Sequence, residues 1–97
     1  MDEIKRLFAG TVTNTEQTVL DMTNGAVLKT IIIGNESETE QTIKLIVDGS
    51  VFLFTIEAKK TLIIDNAIVC NILKMQLLTE SEDVLNVHIS GIQLGGA

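Results

Sequence analysis

Along most of this chain, apolar side chains recur at every second position, the period of a half-buried strand rather than of a helix. Ile43, Leu45 and Val47 alternate with Thr42, Lys44 and Ile46, and beyond Asp48-Gly49 the run Phe52, Phe54, Ile56 alternates with Val51, Leu53, Thr55. An Asp-Gly pair suits the two-residue loop of a type I′ hairpin. Residues 42–56 therefore predict the best-defined hairpin of the chain, with Phe52 and Phe54 at the centre of the core. Leu73, Met75 and Leu77 alternate with Lys74, Gln76 and Leu78, and Leu85, Val87 and Ile89 with Asn86, His88 and Ser90. Further strands are expected at 11–13, 18–22, 26–33, 61–64 and 68–70, with Asn24-Gly25 as a second hairpin loop. The pattern predicts an all-β fold: a single antiparallel β-sandwich, jelly-roll-like, of about eight short strands. A barrel is the other closure that the same rhythm allows. One domain is expected over 1–97, with 1–9 an arm or short helical turn and 95–97 a loose tail.

Composition supports strands. Ile, Val and Thr supply 32 of the 97 residues, and their branched Cβ atoms favour the pleated surface. Thirteen acidic against seven basic residues give a net charge of −6, and the bases do not cluster beyond Lys5-Arg6 and Lys59-Lys60. A nucleic-acid partner is therefore not expected, because phosphate binding needs a basic stripe. Trp and Tyr are absent, so no platform exists on which bases or sugars would stack well. The longest apolar runs fall far short of the roughly 20 residues of a bilayer-crossing helix, and the N-terminus does not read as a secretory signal. A soluble protein made in a reducing cytosol, with no membrane partner, is the expectation.

Site chemistry is sparse. The single cysteine, Cys70, excludes an internal disulfide and any cysteine metal cluster. Cys70 with His88 is the one cysteine–histidine combination available for nucleophilic chemistry. The ordinary reading makes Cys70 a small buried hydrophobe and His88 an outer-face residue. Glu36, Glu38 and Glu40 lack the spacing and the glycine of a calcium loop, and 34–40 reads as a solvated connection. Asp48, Asp65 and Asp83 fall at turns, where a carboxylate caps its own backbone. Asn35-Glu36-Ser37 fits a glycosylation sequon, incidental without a secretory route. No catalytic residue, metal or cofactor is expected.

Surface is what remains. Ile31, Ile32 and Ile33 in succession predict a strand covered on both faces, one of them by a partner chain. Together with Val51, Leu53 and Leu78 they offer more hydrophobe than one small core needs, and these six are the candidate interface; the other reading places all of them in the monomer's own two-sheet core. Three stretches carry a likeness: Thr18-Val19-Leu20 running through 26–35, where a strand of hydrophobes ends in Asn35; the hairpin segment 42–49; and the closing segment 85–94. In these, over about residues 12–94, the chain resembles a loosely related group of small tailed-bacteriophage and prophage virion proteins. The group's members are short β-sandwiches that serve as accessory parts of capsids, necks, tails or fibres. It often has a proline near the turn before its third strand and an Ala-Gly turn before the penultimate one, where this chain has Asn24-Gly25 and Asn71-Ile72. The resemblance implies a non-enzymatic structural or assembly protein, made in a bacterial host's cytoplasm and residing in the virion. It would form a homo-oligomer and contact other virion proteins. The alternative is a small binding module for a peptide strand or a carbohydrate.

Overall fold

One long strand sets the architecture. The computed structural model describes residues 4–78 and 85–94. Its strands are β1 (Lys5–Val12), β2 (Gln17–Asn35), β3 (Gln41–Val47), β4 (Ser50–Ile56), β5 (Thr61–Ile64), β6 (Ile68–Leu77) and β7 (Leu85–Gln93). All pair antiparallel in one connected sheet of order β1-β7-β2-β6-β3-β4, with β5 added to β2. Fully extended, the 19 residues of β2 would reach about 60 Å. The longest dimension of the molecule is 43 Å. β2 must therefore bend, and the sheet folds over with it.

The bend sits where the ladder is interrupted. Between Asp21↔Ile72 and Ala26↔Cys70, four residues of β2 face the single Asn71 of β6. The Asn71 side-chain amide fills the gap, donating to the carbonyls of Met22 (3.2 Å) and Thr23 (3.0 Å). Gly25 takes φ +86 there, a conformation costly for any residue with a Cβ. The expected hairpin loop at Asn24-Gly25 is thus corrected: the glycine's left-handed backbone serves a bulge, and the two predicted strands 18–22 and 26–33 are one. Likewise, residues 5–9 belong to β1 and form neither an arm nor a helical turn.

Every strand turns apolar residues inward, β5 included through Leu62 and Ile64. Leu28, Ile31 and Ile33 of β2, Leu73, Met75 and Leu77 of β6, and Leu85, Val87 and Ile89 of β7 are buried in one core, with Ile43 and Leu45 of β3. The alternation read from β3, β6 and β7 holds residue by residue. At Gly91 the backbones of β7 and β2 come so close that a Cβ would collide with the Val27 carbonyl oxygen and lie 3.0 Å from the Leu28 Cα.

Side chains on the loops do more than solvate. Glu36, Glu38 and Glu40 are exposed, as a polar connection requires, but buried Asn35 and Gln41 anchor both ends of the loop. Asn35 Nδ2 donates to the carbonyls of Thr39 (2.9 Å), Ile56 (2.9 Å) and Glu57 (3.2 Å), while its Oδ1 accepts from the Ser37 amide and hydroxyl. Asp48 also departs from expectation. Its Oδ1 accepts from the amides of Asn71 (2.9 Å) and Ile72 (2.8 Å), so it caps β6 opposite the bulge rather than its own backbone. Asp65 accepts from the Thr30 hydroxyl at 3.5 Å. Asp83, the acidic turn around it and the 95–97 tail lie outside the described residues.

Gly91→Ala should lower the free energy of unfolding by about 2 kcal/mol, because backbone rather than a yielding side chain meets the new methyl. Urea denaturation measures it; an unchanged midpoint would contradict the close approach of β2 and β7.

Candidate functional site

An antiparallel sheet that does not close leaves strands with one unpaired side, and such edges invite further pairing unless they are blunted. Among the described residues three strands pair on one side only: β1 with β7, β5 with β2, and β4 with β3. Two of them carry protection. β1 opens with Lys5 and Arg6 and is bulged between Arg6 and Phe8, and β5 is four residues long. β4 carries none. Its seven residues, Ser-Val-Phe-Leu-Phe-Thr-Ile, hold no charge and no proline, and its register with β3 runs without a shift.

The geometry of this edge follows from its hairpin. Asp48 (φ +48) and Gly49 (φ +90) both take positive φ, the type I′ loop that the sequence predicts. Such a loop makes Val47↔Ser50 a hydrogen-bonded pair, and strict alternation then turns Phe52 and Phe54 toward β3. The N–H and C=O groups of Val51, Leu53 and Thr55 point to the open side. Beside them the inward face is apolar and the outward face is mixed, with Lys44 directly opposite Leu53 and Ile46 opposite Val51. Outward, Val51 (56% exposed) and Leu53 (61%) adjoin Ile46, which shares a hollow with Ile72. Inward, Phe52 (51%) and Phe54 line a groove of about 290 Å³ with Leu45, Val47, Ile64 and Ile68. The expectation that Phe52 centres the core is corrected: β4 ends the sheet, so its inward face meets the mouth of the fold instead of a second layer. Charges ring the outer face, where Lys44 and Lys74 flank Glu16 at 3.9 and 3.6 Å.

The six candidate interface residues separate into four places. Ile31 and Ile33 are fully covered by the chain's own core and offer nothing to a partner in this fold. Ile32 (38% exposed) lies on the outer face of the other half, between Ile63 of β5 and His88 of β7. Val51 and Leu53 stand together on β4. Leu78 (45% exposed) follows β6, its amide donating to the Thr42 carbonyl one strand in from that edge. Phe52 is the contributor that sequence reasoning assigned elsewhere. Two-residue alternation names the face of a side chain but not whether its strand has a neighbour.

Cys70 and His88 do not come together. Cys70 is buried on the core face of β6, whereas His88 is exposed on the outer face of β7, opposite Ile32 and Ala9. Among the described residues no group of three or more His, Cys, Asp or Glu is placed to hold a metal ion. Comparison of the chain with protein-family models, with curated proteins and with solved structures finds no match.

Burial, with the Asp48 carboxylate as the smaller contributor, pushes the Cys70 thiol above its ordinary value. A raised folded-state pKa means that the unfolded chain gives up this proton first. The associated stability is complete below the ordinary thiol pKa of about 8.5 and declines as pH rises through it. Denaturation at about pH 8 and pH 10 should therefore show a steeper loss of stability in the wild type than in Cys70→Ala; equal losses would contradict the burial of the thiol.

Proposed function

We propose that this chain is a non-enzymatic structural or assembly protein that associates with itself and with other proteins of a particle through β4 and its apolar flanks. The observation that carries the reading is the uncharged, unbulged edge of β4, with Val51, Phe52 and Leu53 half or more exposed. An edge of this kind offers a backbone ladder and side-chain contacts at once. The sheet supplies a rigid frame for it, with inward apolar residues gathered in one core. The setting comes from the resemblance of residues 12–94 to small tailed-phage virion proteins, which supports a place in a phage or prophage particle assembled in a bacterial cytoplasm. The net charge of −6 keeps free subunits apart by mutual repulsion until contacts of shape and hydrophobe hold them.

A second reading draws on the same edge. An extended peptide from another protein would add to β4 as a further strand, its alternate side chains entering the groove beside Phe52 and Phe54. Carbohydrate recognition has less to support it, since the chain contains no Trp or Tyr.

Sedimentation velocity of the wild type should show association that grows with concentration. It should also strengthen from about 50 mM to 300 mM salt as repulsion between acidic copies is screened. Leu53→Lys should weaken association at least about 30-fold, the cost of a charge at the centre of a small apolar contact. Its melting curve should stay near the wild type's, because Leu53 is largely exposed in the single chain. A wild type that stays monomeric at every concentration and never co-purifies with virion proteins would refute the proposal.

A further inference from the structure

We infer that the occupant of the β4 edge is β4 of a second copy, paired antiparallel about a two-fold axis through Leu53, so that one sheet runs across both chains. This rests on the assembly reading above and specifies its contact. An isologous interface requires that whatever residue i contacts on the partner contacts i in return. In an antiparallel strand pair that demand becomes a palindrome. Residues 51–55 read Val-Phe-Leu-Phe-Thr, the same in both directions except for two branched side chains of similar shape at the ends.

The hydrogen-bonding phase agrees with the palindrome. The outward groups belong to Val51, Leu53 and Thr55, as the hairpin phase dictates. About the Leu53 axis, Leu53 meets the partner's Leu53, and Val51 meets the partner's Thr55, each pair exchanging both backbone hydrogen bonds. On the inner face Phe52 stands opposite the partner's Phe54, and the two apolar grooves adjoin across the axis. A slip of two residues in either direction sets Thr55 opposite the partner's Gly49 or Val51 opposite the partner's Glu57. The first trades a strand pair for a turn, and the second places a carboxylate against an apolar side chain. The centred register is the one that keeps all three outward residues paired within uncharged strand.

The area sets the strength. Val51, Phe52 and Leu53 leave on the order of 300 Å² of side chain open per chain, below the roughly 800 Å² per partner of a standard interface. The pairing is therefore concentration-dependent, as suits a subunit that stays dispersed until it is gathered into a larger structure.

Disulfide trapping in a Cys70→Ala background tests the register. Directly opposed residues in a hydrogen-bonded pair have Cα atoms about 5.5 Å apart, within reach of a disulfide. Leu53→Cys should form linked dimers under mild oxidation at least about tenfold faster than Val51→Cys alone, whose two copies would be about 13 Å apart. Val51→Cys mixed with Thr55→Cys should link as Leu53→Cys does, and about 6 M urea should abolish the preference. If sedimentation still reports association but Leu53→Cys fails to link, or Val51→Cys links to Leu53→Cys in preference to Thr55→Cys, the centred pairing is wrong and the assembly reading survives. A monomer at all concentrations overturns both. So does a monomer whose β4 amides are protected only on adding an unrelated extended peptide, which assigns the edge to a foreign strand.

Discussion

Every backbone amide in a sheet needs a partner, and from Ala26 onward β2 finds neighbouring strands along both of its sides. β7 takes one side, while β6 and then β5 take the other. Because the strand is longer than the molecule, it satisfies its partners only by bending, and the bulge at residues 22–25 is where the bend is absorbed. Folding the sheet about β2 turns one face of nearly every strand toward a common core and leaves the other face to water. It also decides which strands end the sheet. Among the described residues β3 reaches β6 and β4 reaches only β3, so the uncharged strand β4 finishes with one side unpaired. The candidate site is a consequence of the fold's bookkeeping rather than an addition to it.

The polar connections reinforce this arrangement. Asp48, in the loop between β3 and β4, bonds the amides of Asn71 and Ile72, and Asn71 in turn bonds across the bulge to β2. The hairpin that carries the open edge is thereby tied to the bend. At the far end of the hairpin, Asn35 bonds the Ile56 carbonyl at the last residue of β4. β4 is thus held near both ends by side chains of other segments, which presents its outward groups as a rigid row.

Legibility from sequence tracked the range of the forces involved. Alternation within β3, β6 and β7 was readable because each side chain's face is a local property, and Asp48-Gly49 announced its turn because positive φ at both positions is a local need. Asn24-Gly25 carried the same local signal with a different outcome. A hairpin loop and a bulge both want a left-handed glycine, and what separates them is Asn71, 46 residues further along the chain than Gly25. The run of three isoleucines misled in part: Ile31 and Ile33 fill the core, and only Ile32 faces outward. Of the site itself, Val51 and Leu53 were visible as surplus hydrophobe. Phe52 was not, because whether an inward side chain meets a second layer or an open mouth depends on sheet order, which pairs residues distant in sequence.

Amide hydrogen exchange at β4, followed from low micromolar to near-millimolar protein, examines the central claim most directly. Phe52 and Phe54 bond to β3 within the single chain and should be protected at every concentration. Val51, Leu53 and Thr55 should exchange rapidly when dilute and slow together as the protein is concentrated. Rapid exchange at these three positions throughout, alongside steady protection of Phe52 and Phe54, would mean that the edge stays open to water and that no second copy seals it.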